Sequence, residues 1–140
     1  MKKSTQELLE VLTKSKSIQN YINENDESLS DCTLSEYINM MALKKNLSKS
    51  EIVRGSNLST VYAYKIFSGE RLPKRDKLLA LAFGLRLDLD ETQRMLKIGG
   101  AGALYPRIKR DSVIIFAIKE GLSLIDCNEL LYELEEAVIE

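Results

Sequence analysis

Residues 48 to 69, SKSEIVRGSNLSTVYAYKIFSG, confine the chain more than any other stretch, because two short patterns of helical spacing meet there across a tight turn. Ser48 followed by Glu51 makes a capping box: the hydroxyl accepts from the backbone N–H three residues on, and the glutamate reaches back to the serine's own N–H. Ile52 and Val53 give the first helix an apolar face, and Asn57 tolerates the left-handed backbone that a tight turn needs. Ser59 caps the second helix. There Ala63, Ile66 and Phe67 recur on one side, which leaves Thr60, Val61, Tyr64 and Lys65 on the other. This outward face mixes hydroxyl, methyl, aromatic and ammonium groups. Such groups can hydrogen-bond phosphates and base edges and touch thymine methyls, and the DNA major groove admits one helix.

A helix-turn-helix with this face needs a polyanionic partner, and the charge distribution supports one although the total does not. Twenty Lys and Arg stand against twenty-one Asp and Glu, a formal net charge of -1. Residues 1 to 36 hold four basic and seven acidic side chains, residues 37 to 110 fifteen and six, and residues 111 to 140 one and eight. A middle segment at plus nine between acidic flanks fits a nucleic-acid-binding module with non-contacting appendages. Phosphate contacts supply most of the affinity that does not depend on sequence. An ordinary solvated basic face competes with this reading, and the position of the cations beside the two short helices weighs against it.

Capping signals recur before each apolar stripe and period-two alternation is absent, so the chain is expected to be all-α. Ser4 and Glu7 open a first helix with Leu8, Val11, Leu12, Ile18 and Ile22 near one face, followed by a polar linker over residues 23 to 31. Thr33 and Glu36 open another, carrying Leu34, Tyr37, Ile38, Met41 and Ala42 into Lys44 and Lys45. After Gly69 comes a basic turn, ERLPKR, in which Pro73 sets the start of a helix through Leu78, Leu79, Leu81 and Ala82, with Gly84 near its end. Asp88 and Glu91 open the next, containing Leu89, Met95 and Leu96, and the glycines of residues 99 to 102 stop it. Tyr105 and Pro106 begin a further unit. Its residues 113 to 118 are nearly all apolar, which suggests a helix buried on most sides and terminated by Gly121. Ser123 caps a last helix with Leu124, Ile125, Leu130, Leu131, Leu134 and Val138, whose other face carries Glu129, Glu133, Glu135 and Glu136. The expected divisions are an N-terminal helix and linker over 1–32, a central domain over 33–98 and a C-terminal helical pair over 99–140.

At 140 residues and 44% hydrophobic content the chain can bury one good core. No apolar run approaches the roughly 18 residues of a membrane span. The N-terminus MKKSTQELLE has basic residues but no apolar core, so it does not read as a secretory signal, and a cytoplasmic protein is expected. Cys32 and Cys127 lack partners at metal-ligand spacing and are expected to be reduced thiols. The chain has no histidine, which excludes Ser/His/Asp and Cys/His nucleophile systems and histidine metal sites. Asp88, Asp90 and Glu91 cluster, but the preference of helix N-termini for negative charge explains them. The glycines of IGGAGAL do not follow a strand, so a phosphate loop fails its context test. No enzymatic activity, cofactor or metal is expected.

Residues 34 to 98 resemble the five-helix domain of the phage-repressor and Cro type helix-turn-helix family, often called Xre. The likeness covers roughly half the chain and rests on SKSEIVRGSNLSTVYAYKIFSG followed by ERLPKRDKLLALAFGL. That order matches the family's second helix, turn, recognition helix, glycine, basic loop with proline and apolar fourth helix. The resemblance implies an all-α chain: a five-helix repressor-like helix-turn-helix domain, here with an N-terminal helix and a C-terminal helical pair. It implies that Lys49, at the start of the second helix, binds backbone phosphate, as a point charge where the family usually has glutamine. Thr60, Val61, Tyr64 and Lys65 fall on groove-facing positions, while Leu58, Ala63 and Ile66 fall on core positions. Arg71, Lys74 and Arg75 fall near the other phosphate strand. The DNA-facing set is completed by Ser59, at the helix start, and by Tyr62, which faces either the first helix of the pair or the DNA backbone. Three departures stand out: Asn57 replaces a turn glycine, Ser56 a leucine-like residue and Phe67 a commonly acidic one. Ser56 implies either a smaller local core or compensation by Phe67.

Competing structural roles attach to each residue. Tyr62 and Tyr64 could serve packing, Thr60 capping and Lys65 solvation alone, while the basic loop positions rather than specifies, since phosphate contacts carry no direct base information. The expected function is a sequence-specific DNA-binding transcriptional regulator, a repressor acting as a homodimer through its C-terminal pair. One rival is an antitoxin whose acidic C-terminal helices hold a protein partner. Another is a protein-interaction module that has lost DNA contact, since fold does not imply function.

Overall fold

Side-chain caps mark the start of most of the described helices, those beginning at Arg75 and Lys109 excepted, once the chain is folded. In the computed structural model, which describes residues 32 to 140, Thr33 with Glu36, Ser48 with Glu51 and Asp88 with Glu91 each form a complete capping box. The described residues contain seven helices and no strand: α1 (Leu34–Lys44), α2 (Lys49–Ser56), α3 (Thr60–Phe67), α4 (Arg75–Gly84), α5 (Leu89–Ile98), α6 (Lys109–Lys119) and α7 (Leu124–Glu133). Thr33–Glu140 form one compact unit. None of the described helices is long and apolar enough to cross a membrane. The helix expected behind Ser4 and Glu7 lies outside the described residues.

Four connections share one three-residue design: a residue at positive φ, a leucine, and the Ser or Asp that caps the next helix. They are Asn46-Leu47-Ser48, Asn57-Leu58-Ser59, Arg86-Leu87-Asp88 and Gly121-Leu122-Ser123. In three of them the leucine N–H reaches back to a helix carbonyl, Leu47 to Ala42 at 2.9 Å, Leu87 to Ala82 at 3.0 Å and Leu122 to Ala117 at 2.9 Å. These bonds satisfy acceptors that a helix end leaves open. The turn between α2 and α3 is therefore one case of a connection used throughout this unit.

The most enclosed helix is α4, buried at Leu78, Leu79, Ala80, Leu81, Ala82 and Gly84 and packed against α2, α5 and α7. Residues 113 to 118 behave differently from the expected all-round burial. Val113, Ile114, Ala117 and Ile118 are buried, but Phe116 is exposed, because the main packing of α6, against α5 and α7, covers its inner side and leaves the outer one open. Gly84 does more than end its helix: a Cβ there would stand 2.6 Å from the Ile52 carbonyl oxygen and 3.0 Å from the Ser56 Cβ. The smaller local core thus accounts for Ser56, which is buried and donates its hydroxyl to the Ile52 carbonyl at 2.7 Å.

Helices α4–α5 and α6–α7 repeat one another at a constant offset of 35 residues, a regularity the sequence reading missed. Arg75 donates to the carbonyls of Gly102 and Ala103, as Arg110 does to those of Ala137 and Val138. Gln93 clamps the backbone of Leu104 through both amide atoms, as Asn128 clamps Ile139. The two copies then exchange bonds. Arg75 grips Asp111 while Arg110 grips Asp76, and the N–H of Tyr105 donates to Asp111 as that of Glu140 does to Asp76. A pairing in which residue i meets j and j meets i is that of a two-fold interface, here built within one chain. The last helix ends at Glu133, short of the expected Leu134 and Val138. Glu135 takes φ 62°, and the tail turns back to bury Ile139 under the Asn128 clamp.

Candidate nucleic-acid interface

Helix α3 is held at both ends. At its start Ser59 Oγ accepts from the Tyr62 N–H at 3.2 Å. At its end the Phe67 carbonyl accepts from Ser35 Oγ at 2.6 Å and from Asn39 Nδ2 at 2.9 Å, so α1 ties down acceptors that the helix itself cannot satisfy. Ala63, Ile66 and Phe67 are buried, as is Leu58 in the turn before the helix. The opposite face, with Thr60, Val61, Tyr64 and Lys65, points out: Val61 is 67% exposed and Tyr64 48%.

Lys49, at the first position of α2, joins this face. Its Nζ lies 5.2 Å from the Tyr64 ring centroid and 5.4 Å from that of Phe67, and the two rings are tilted with centroids 6.4 Å apart. A cation over a ring face is attracted by the ring quadrupole, so Lys49 and Tyr64 brace each other at the joint between α2 and α3. Tyr62 turns to the following loop and the start of α4. The Arg71 guanidinium carbon lies 5.6 Å and Lys77 Nζ 5.9 Å from its ring centroid, and Lys74 lines the same cavity. Arg71 and Lys74 are exposed.

Arg75 stands apart from the set it was grouped with. Its guanidinium is engaged by both Asp111 oxygens at 3.2 and 2.8 Å and by the carbonyls of Gly102 and Ala103. Four of its five N–H donors are thereby committed within the unit, and its charge is countered by the buried Asp111.

Lys44 and Lys45 pair with Glu91 at 3.0 and 2.8 Å, Arg75 with Asp111, Arg110 with Asp76, and Lys109 more loosely with Glu136 at 3.9 Å. Among the described residues Lys49, Lys65, Arg71 and Lys74 form no ion pair with a carboxylate. Burial alone would raise the Glu91 carboxyl, but bonds from Lys45, the Asp88 N–H and Lys44 outweigh it and hold the group at about 2. These ion pairs all lie outside the α2–α3 face, and the cations upon it take no part in them. Burial pushes the Cys127 thiol up to about 11, which makes it a poor nucleophile.

No protein-family model, curated protein or solved structure matches this chain. Three contributors to the face were missed from sequence: Ser35 and Asn39, which anchor α3 from α1, and Lys77, which stacks on Tyr62. Ser35 and Asn39 sit one helical turn apart on a polar stripe, a signal shared with any solvated face. The repeated Lys-Arg-Asp at residues 74 to 76 and 109 to 111 would have marked Arg75 as one half of a structural pair.

Proposed function

We propose that this protein is a sequence-specific DNA-binding transcriptional regulator, a repressor in which α1–α5 act as an Xre-type helix-turn-helix domain and α3 enters the major groove. The observation that carries the reading is the exposed, cationic face built on α3. The exposed, chemically mixed face of α3 is accompanied by Lys49, Lys65, Arg71 and Lys74, none of which forms an ion pair with a carboxylate among the described residues. In this reading Lys49, Arg71 and Lys74 contact phosphates, and Thr60, Val61, Tyr64 and Lys65 face base edges. Ser59 presents the helix N-terminus, where backbone N–H groups favour phosphate.

A lone domain of this size reads one half-site, and a two-fold dimer doubles the phosphate contacts. The C-terminal helices leave Phe116, Ile125, Tyr132 and Leu134 exposed, with Ile125 at 71% and Tyr132 at 78%, and this apolar surface supports self-association. A second reading rests on the same helices. Ile125, Asn128, Glu129, Tyr132 and Glu133 line a shallow cavity of about 370 Å³ whose acidic and apolar character suits a basic protein partner, as in an antitoxin.

Selection of bound duplexes from a random pool tests the main reading. The expected result is a two-fold symmetric motif with half-sites about one DNA turn apart. Absence of any enriched motif, together with absence of salt-dependent binding to any duplex, would overturn it. A partner recovered by pull-down and lost in Ile125→Glu would favour the second reading.

A further inference from the structure

Beside α3 lies a cavity of about 400 Å³ lined by Tyr62, Arg71, Leu72, Lys74, Lys77 and Glu140. Its volume lies within the range of about 300–1,000 Å³ typical of small-molecule sites and exceeds what a bare inorganic anion fills. Three cations converge on it, and none of them forms an ion pair among the described residues. Tyr62 gathers two of them, since both Arg71 and Lys77 stand over its ring. The remaining charge is Glu140, brought to the rim because its N–H is held by Asp76 and the preceding Ile139 is clamped by Asn128.

Three cations against the single acidic residue Glu140 leave the lining net positive. Like charges brought together without a counter-ion repel, and an anion of matching charge relieves that cost. A phosphate monoester carries about -1.5 to -2 near neutral pH, so a cationic lining draws it more strongly than a singly charged carboxylate or phosphodiester. Arg71 supplies a planar fork and the lysines supply point charges, the donor types that recognise phosphate oxygens. Leu72 and the Tyr62 ring offer apolar surface for the rest of a ligand.

We propose that this cavity binds a small organic phosphate monoester, of sugar phosphate or mononucleotide size. Because Arg71 and Lys74 belong also to the DNA-facing set, the bound monoester competes with duplex. This consequence rests on the DNA-binding reading; the binding site itself does not.

Calorimetry on the full chain without DNA tests the site, using AMP, glucose 6-phosphate and glycerol 3-phosphate against adenosine, inorganic phosphate and a dinucleoside phosphodiester. At least one monoester is expected to bind more tightly than all three controls. Lys77→Ala is expected to weaken it roughly tenfold, the loss of one charge-assisted contact. Glu140→Gln, at an exposed position, is expected to tighten it about threefold or more by removing the opposing charge. No saturable binding of any monoester up to about 10 mM overturns the proposal. So does equal binding of the phosphodiester, which would make the cavity a DNA-backbone subsite, and so does weaker binding by Glu140→Gln. Duplex retention with and without the bound monoester is measured separately. Monoester binding without any duplex binding sinks the DNA reading and leaves the site standing.

Discussion

Gly84 of α4 lies against Ser56 of α2 so closely that a Cβ on the glycine would stand 3.0 Å from the serine Cβ and 3.1 Å from its backbone nitrogen. Ser56 in turn folds its hydroxyl back onto the Ile52 carbonyl at 2.7 Å, which keeps the contact surface small. The helix that carries the turn into α3 is thereby set directly on the central helix of the unit. Gly84→Ala is expected to destabilise the fold by about 1–3 kcal/mol, because the obstructing atoms are backbone and the two helices must separate. Urea denaturation of the variant against the natural chain measures this, and an unchanged midpoint would refute the close contact.

Arg75 and Arg110 occupy equivalent places in the two copies of the repeat, but their partners differ in burial. Asp111 is 2% exposed and keeps only the Tyr105 N–H once Arg75 is removed, whereas Asp76 is partly solvated. Arg75→Ala is expected to cost about 2–4 kcal/mol of stability, the penalty for leaving a buried carboxylate without its counter-charge, and Arg110→Ala less. Neither change should alter the salt dependence of duplex binding, which separates Arg75 from Lys49 and Lys74 in a filter-binding titration.

The pairing of Glu91 with Lys44 and Lys45 makes stability depend on acid. Its carboxyl is held at about 2 against an ordinary 4.5, so the fold releases a proton more readily than the unfolded chain. The contribution is present above the ordinary value and is lost as pH falls from about 4.5 toward 2. Glu91→Gln is expected to be less stable than the natural chain at neutral pH and to converge with it near the bottom of that window. Parallel curves over the whole range would disprove the assignment.

Phosphate-facing and base-facing changes are expected to behave differently on DNA. Lys49→Ala and Lys74→Ala should weaken binding to all duplexes and reduce the slope of log affinity against log salt by about one unit each. Thr60→Ala and Tyr64→Ala should shift preference among sites. Lys49 also braces Tyr64, so the double variant Lys49→Ala with Tyr64→Ala should depart from additivity. Equal losses on cognate and random duplexes for all four would remove the basis for the division.

Self-association is best tested by point changes, because the segment after Ile98 is bonded into the unit through Asp111, Arg110 and the Leu104 clamp. Its removal would open the core. Ile125→Glu and Tyr132→Glu lie at exposed positions and should leave folding intact while converting a dimer to a monomer. Light scattering reads the mass directly. A dimer mass that survives both changes would place the interface elsewhere.

The sequence by itself determined the local half of this protein. Helix starts were legible at Thr33, Ser48, Ser59, Asp88 and Ser123, and Asn57 at positive φ was legible too, because a cap or a left-handed turn is decided by residues within three or four positions of one another. The buried and outward faces of α3 followed from helical period for the same reason. Tertiary structure alone decided which cations keep their charge unopposed. Glu91 reaches back to Lys44 and Lys45, and Asp111 reaches Arg75, across separations that spacing cannot reveal. It also decided that Phe116 faces outward, that Tyr62 joins Arg71 and Lys77, and that Gly84 seats one helix on another. Local hydrogen bonds belong to neighbours in the chain, whereas charge pairing and close packing belong to neighbours in space, and only folding makes those.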